Sequence, residues 1–207
     1  ILAAGGKRIR PIITLLTSKL CNYEGKNHLS LAACIEFIHT ATLLHDDVID
    51  ESKLRRGVAT ANDIFGNKTS VLVGDFLFSR SFELMVKNGS KNILKVLSSA
   101  SSTIAKGEVL QLTTINDCST SKETYMNVIN SKTASLFAAA AEISAILSKK
   151  NKNIQKALVT YGQKLGIAFQ LVDDALDYIG SKNLGKEIGD DFKEGKITLP
   201  IIICIKK

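Results

Sequence analysis

The chain has no tryptophan, only two prolines and 6% aromatic residues. Pro11 and Pro200 lie near the two ends, so a long middle stretch is free of the residue that most strongly breaks helices. No apolar run reaches the roughly 20 residues of a membrane helix, and the apolar segment SLFAAAAEISAIL is interrupted by Glu142. The four cysteines, Cys21, Cys34, Cys118 and Cys204, form no CxxC pair. Reduced thiols in a cytosol-like compartment are therefore expected, not disulfides or a zinc site. The lysines are scattered without the basic–aromatic interleaving that would point to nucleic acid. No internal repeat stands out at a fixed period. The sequence opens at Ile1, without an initiator Met or a signal peptide, and stops at Lys207 just after the apolar TLPIIICI. It is expected to be the middle of a longer protein.

What is present points to helices. The length of 207 residues suits one large domain or two small ones. A hydrophobic fraction of 45% is enough for a sizeable core. Ala, Leu, Ile, Lys and Ser dominate, which favours helix. Apolar spacing predicts helices over 10–21, 29–51, 70–87, 93–112, 120–147 and 154–179. Leu31, Ile35, Ile38 and Thr42 make one stripe of the second helix. Thr120 with Glu123 predicts a capping box at the start of the fifth. The joins between helices are short and polar. No convincing alternating strand is present, and LPIIICI suits either a strand or a helix opened by Pro200. The net charge of +7 fits a basic surface or a site for an anionic ligand.

Two segments resemble each other, LLHDDVID and LVDDALD. On a helix, residues four apart share a face. Asp46 and Asp50 then project side by side with Asp47 offset, and Asp173 and Asp177 do the same with Asp174 offset. Carboxylates this close repel unless a cation joins them. Hard oxygen ligands suit Mg²⁺, which is commonly held by one or two carboxylates plus substrate phosphates. A lone D-D-x-x-D is often only a solvated helix end. Two copies, each after a stretch that reads as buried, need a stronger reason, because unpaired buried charge is costly.

Basic residues supply the opposite charge. GGKRIRP places Lys7 and Arg10 after a glycine pair, and arginine offers phosphate a bidentate fork. Arg55 and Arg56 follow the first acid cluster. Lys132 and Thr133 sit within a helix, where a lysine could equally snorkel to solvent. Gln170 lies three residues before Asp173 and could serve a buried hydrogen bond.

With these motifs in order, the chain resembles the trans-isoprenyl diphosphate synthases (polyprenyl synthetases) of the long-chain, octaprenyl-like or decaprenyl-like type. The segments that carry the likeness are GGKRIRP, LLHDDVIDESKLRRG, VGDFLFSRSF, KTASLF, GIAFQLVDDALDY and GDDFKEGKITLP. The resemblance implies one all-α prenyltransferase domain over 1–207, a helical bundle around a deep central cavity, lacking its N- and C-terminal helices. It implies a homodimer, and the composition, with no membrane segment and no sign of a nucleic-acid partner, suits a bacterial cytoplasm or a mitochondrial matrix. Several Mg²⁺ ions would be held by Asp46, Asp50, Asp173 and Asp177, with Asp47 and Asp174 completing the two motifs. Lys7, Arg10, His39 and Arg56 match positions that bind isopentenyl diphosphate. Arg55, Lys132, Thr133 and Gln170 match those that hold the allylic diphosphate. Lys186 and Lys196 match later lysines that approach it, and Lys132 is also expected to act in catalysis. The chain between Tyr178 and Gly185 is slightly shorter than the family's usual length.

The activity implied is ionisation of an allylic diphosphate, attack by isopentenyl diphosphate and loss of a proton, giving a long all-trans polyprenyl diphosphate. A quinone side chain is the expected use. Ala41 and Thr42 precede Asp46 by about one helical turn. In the family, bulky aromatics there stop elongation early; two small residues predict an open shaft. A short-chain synthase is the nearest rival. A silent partner subunit would be expected to lose an acid motif. A terpene cyclase would carry Asn, Ser or Thr with Glu in its second motif, unlike DDALD.

Overall fold

The computed structural model describes residues 6–55, 57–179 and 189–205. It is almost wholly helical. The helices are α1 (Ile9–Leu20), α2 (Asn27–Ile49), α3 (Ala61–Phe65), α4 (Asn67–Asn88), α5 (Lys91–Leu112), α6 (Lys122–Ile129), α7 (Ser135–Leu147), α8 (Lys152–Ile179), α9 (Asp190–Lys193) and α10 (Leu199–Ile205). LPIIICI is therefore helix. The expectation of no strand needs a small correction. Leu54–Arg55 and Val58–Ala59 form a two-stranded antiparallel hairpin between α2 and α3. So short a pair carries no alternation for a sequence reading to find.

The core forms where helical stripes meet. Leu31, Ile35 and Ile38 of α2 are fully buried, as periodicity predicts. They join Met85 of α4, Ile93, Leu97 and Ile104 of α5, and Phe137 and Ile143 of α7 in one cluster. α7 is central and apolar nearly all round. Its Ala139, Ala140, Ala141 and Ala145 are buried, and these small side chains let α1, α5 and α8 approach closely. Two other approaches require glycine. A Cβ on Gly166 of α8 would lie 2.6 Å from Ala134 Cα, and one on Gly107 of α5 would lie 2.8 Å from the Lys132 nitrogen.

The predicted helix over 120–147 is interrupted. A π turn, Asn130–Ala134, joins α6 to α7. Such turns insert one residue per turn and shift side chains around the helix axis. Residues Lys132 and Thr133 sit on it. The cap also differs from expectation. Ser121, not Thr120, accepts the hydrogen bond from Thr124 N, at 3.0 Å, because the helix begins one residue later than the box required. Thr120 is buried instead, beside the cleft described below. A second cluster, Tyr125, Ile129, Ile197 and Ile202, docks α10 and the segment before it onto α6. No helix among the described residues is long and apolar enough to cross a membrane, and all four cysteines are free.

Candidate functional site

The first acid motif occupies the last turn of α2. The helix ends in a Schellman pattern. Ser52 N donates to Asp47 O at 3.0 Å and Glu51 N to Val48 O at 3.4 Å, with Glu51 in the left-handed region at φ 50°. Three carboxylates thus cluster where the helix dipole is already negative. The fold answers with cations from elsewhere. Lys132 Nζ lies 3.5 Å from Asp46 Oδ2. Lys196 Nζ lies 2.7 Å from Asp50 Oδ2. Asp47 turns the other way and accepts from Arg55 Nε at 2.9 Å and Nη2 at 2.6 Å. Burial raises the Asp46 carboxyl above its ordinary range, Lys132 opposes this, and Asp50 adds to it.

The second motif lies near the end of α8, again at a negative helix terminus. Its three acids differ in setting. Asp173 is exposed, whereas Asp174 and Asp177 are buried. Asp174 accepts from Tyr125 Oη at 2.5 Å and from Gln170 Nε2 at 2.7 Å. Asp177 accepts from Asp191 N at 3.3 Å, and its carbonyl accepts from Gly189 N at 2.9 Å.

Between the two helix ends lies a cleft of about 310 Å³ whose walls include Asp46, Asp50, Asp173 and Asp174. Asp47 and Asp177 are not on its wall. The cations Arg10, Arg55, Lys132 and Lys196 line it too. Arg10 Nη1 is 3.0 Å from His39 Nε2, and its guanidinium stacks 4.5 Å from the centre of the Phe137 ring. Burial lowers Arg10 to about 10, against the pull of Glu36. Its Nε is buried without a hydrogen-bond partner among the described residues. Burial would lower the Lys196 ammonium, but Asp50 and Glu194 outweigh it and raise it above its ordinary value.

Lys132 does not snorkel. The π turn directs it inward, where Nζ donates to Glu108 Oε2 at 2.7 Å and Gln111 Oε1 at 2.8 Å. Thr133 Oγ1 donates to Gln170 Oε1 at 2.8 Å, and both residues line the cleft, as do His39 and Thr42. Ala41 is buried in the packing instead, 1% exposed. Lys7 is exposed and not on the cleft wall. Arg56 and Lys186 lie outside the described residues, as does most of the shortened stretch after Tyr178. Among the described residues no cluster of three His, Cys, Asp or Glu is already assembled as a metal site.

The family model described as polyprenyl synthetase matches residues 1–207. The chain belongs to the polyprenyl synthetase family. It is 56% identical over 203 residues to an octaprenyl diphosphate synthase of Escherichia coli, covering 98% of this chain and 63% of that protein. It is 47% identical to an all-trans-nonaprenyl-diphosphate synthase of Rhodobacter capsulatus, covering 100% of this chain and 64% of that one. A solved polyprenyl synthase of Caulobacter crescentus, complexed with calcium and isoprenyl diphosphate, superimposes with a TM-score of 0.96 at 52% identity, covering 100% of this chain and 63% of that one. The chain thus spans somewhat under two thirds of these relatives.

Several cleft residues of this polyprenyl synthetase chain escaped the sequence reading. Glu108 and Gln111 stand three apart in GEVLQL, a polar pair on one face of a helix, which was the available signal. Asp190, Asp191 and Glu194 also line the cleft, and their signal was GDDFKEGK. Tyr125 had none, since a lone tyrosine in a helix reads as core.

Proposed function

We propose that the full-length protein is a Mg²⁺-dependent prenyltransferase that condenses isopentenyl diphosphate with an allylic diphosphate into a long all-trans polyprenyl diphosphate. The observation that carries this reading is a single cleft lined by acids of both motifs, Asp46, Asp50 and Asp173, together with Arg10, Lys132 and Lys196. Support for the long product comes from the octaprenyl and nonaprenyl relatives and from Thr42, a small residue on the cleft wall.

The donor set fits Mg²⁺. It offers hard carboxylate oxygens at two helix ends, and such ions take few protein ligands when substrate phosphates supply the rest. Asp46 and Asp50 on one side and Asp173 on the other would hold the ions, and Asp177, off the cleft wall, is assigned to them by motif alone. The bound ions would neutralise charge on the leaving diphosphate. Arg10, whose Nη1 meets His39 and whose Nε has no partner among the described residues, is assigned with His39 to isopentenyl diphosphate, and Lys7, exposed off the cleft wall, joins them by its motif. Arg56 is assigned there by motif alone. Lys132, Arg55 and Lys196 are assigned to the diphosphate of the allylic substrate, with Lys186 by motif alone, and Thr133 and Gln170 to the same substrate beside its allylic carbon. The allylic C–O bond breaks and diphosphate leaves with the electron pair. The π electrons of isopentenyl diphosphate form the new C–C bond. Loss of a proton to the departing diphosphate restores a double bond. The cleft groups stabilise the charge that develops.

A homodimer is part of the same proposal. Leu72, Phe76, Phe82 and Val86 of α4 are exposed apolar side chains, a face suited to a second copy. The four free cysteines fit a reducing compartment such as a bacterial cytoplasm or a mitochondrial matrix.

The test is incubation of the full-length protein with labelled isopentenyl diphosphate, farnesyl diphosphate and Mg²⁺, followed by sizing of the dephosphorylated products. A ladder ending in a long polyprenol, abolished by EDTA and by Asp46→Ala, is expected. Arrest after one or two additions would assign a short-chain synthase, and no product would overturn the reading.

A further inference from the structure

A chain of hydrogen bonds runs through the cleft wall and joins three separate elements. Tyr125 of α6 donates to Asp174 Oδ2 at 2.5 Å. Gln170 of α8 donates through Nε2 to Asp174 Oδ1 at 2.7 Å. Thr133 of the π turn donates to Gln170 Oε1 at 2.8 Å. All four residues line the cleft. Tyr125 and Asp174 are nearly inaccessible, at 4% and 3% exposure.

The chemistry of the groups fixes the direction of the chain. A carboxylate only accepts hydrogen bonds. Asp174 therefore requires the NH₂ of Gln170 to face it, and the Gln170 carbonyl oxygen is turned towards Thr133. That oxygen in turn commits the Thr133 hydroxyl hydrogen. Gln170 Oε1 and Thr133 Oγ1, on two residues of the cleft wall, keep oxygen lone pairs that this chain of bonds does not use. Had Asp174 been an amide, Gln170 could turn over and present NH₂ dipoles instead. Tyr125 stabilises the starting point of the chain. Burial, followed by the bond to Asp174, pushes its phenol well above its ordinary value, so it stays a donor. Its ring is held by Ile129, Ile197 and Ile202, so the hydroxyl has a fixed place.

We infer that Tyr125 and Asp174 are positioning residues that orient Gln170 and Thr133 with their oxygens towards the cleft, where a carbocation on the allylic substrate would be stabilised. Asp174 then acts through hydrogen bonds, not as a metal ligand, which divides the labour within the second acid motif. This inference rests on the prenyltransferase reading. Oxygen dipoles held in place before the charge appears stabilise it without reorganisation, and a charged analogue should report them selectively.

The experiment uses the full-length protein and two non-reactive allylic diphosphate analogues of equal length. One carries an ammonium group at the position of developing charge, and the other is neutral. Affinities are measured with wild type, Tyr125→Phe and Asp174→Asn at saturating Mg²⁺. The expected result is a wild-type preference for the ammonium analogue that falls about tenfold in Tyr125→Phe and further in Asp174→Asn. Binding of the neutral analogue should hold within twofold, and so should the Mg²⁺ concentration for half-maximal activity. Both replacements are nearly isosteric. Should Tyr125→Phe fail to fold, as judged by circular dichroism, the same ratio is read from Asp174→Asn. An unchanged preference, an equal loss for both analogues, or a raised Mg²⁺ requirement as the whole effect of Asp174→Asn would overturn the inference. A wild-type protein that binds neither analogue would instead remove the prenyltransferase reading, and the role of Tyr125 and Asp174 with it.

Discussion

Lys196 Nζ lies 2.7 Å from Asp50 Oδ2, although the two residues are 146 positions apart in the chain. Glu194 Oε2 holds the same ammonium at 2.7 Å. The first acid motif is thus tied to the segment that follows the second. Lys196→Met should lower the stability of the metal-free protein by about 1–3 kcal/mol, because Asp50 loses its partner in a half-buried setting. Asp50→Asn should cost less in that background than in wild type. Denaturant unfolding of both single variants and the double variant checks this coupling.

Glu108 and Gln111 should govern activity through Lys132. Glu108→Gln keeps the shape but removes the charge that holds the ammonium. A drop of about tenfold in kcat/KM for the allylic substrate is expected, which corresponds to about 1.4 kcal/mol. The fall should be smaller for isopentenyl diphosphate. Steady-state kinetics with each substrate varied in turn provides the check.

Thr42 and Ala41 should behave differently when enlarged. Thr42 faces the cleft, so Thr42→Phe should shorten the product while the protein still folds. Ala41 is packed, 1% exposed, so Ala41→Phe should first cost about 1–3 kcal/mol of stability by overpacking. Product chromatography and thermal melts of the two variants distinguish these outcomes.

Gly166→Ala should displace the π turn. Its Cβ would meet Ala134 Cα at 2.6 Å, and backbone is slow to yield. A stability loss of about 1–3 kcal/mol is expected, with a larger proportional loss of kcat, because Lys132 and Thr133 move with the turn. Unfolding curves and turnover measured on the same preparation test it.

Cys34 should resist thiol reagents that modify Cys118. Burial pushes the Cys34 thiol up to about 12. At pH 8 its thiolate fraction is then about 10⁻⁴, and the side chain is inaccessible as well. The ordinary value is 9.0. Cys34 therefore favours the folded state fully below about pH 9, and this contribution is lost as pH rises towards 12, since the unfolded thiol releases its proton first. Mass spectrometry after brief alkylation at pH 8 should find Cys118 labelled and Cys34 unlabelled until denaturant is added.

Much of the architecture was legible because helices announce themselves locally. The stripe Leu31, Ile35, Ile38 predicts a buried face and is fully buried. The acid pairs at i and i+4 are likewise a property of the helix alone. The π turn was not legible, since Asn130–Ala134 continues the helical pattern and the deviation depends on α5 and α8 pressing on it at Gly107 and Gly166. The misplaced cap at Thr120 has a similar cause, as two adjacent residues could both serve and packing chose Ser121.

The sequence by itself determined that the chain is helical, that two acid clusters end long helices, and that cations must come from elsewhere to meet them. These follow from periodicity and from the cost of uncompensated charge. Which acid meets which partner was decided by the tertiary structure alone. Asp47 turns to Arg55, Asp50 to Lys196, and Asp174 to Tyr125 and Gln170. Within one motif the three carboxylates are chemically identical, and only the helices packed around them make their surroundings differ.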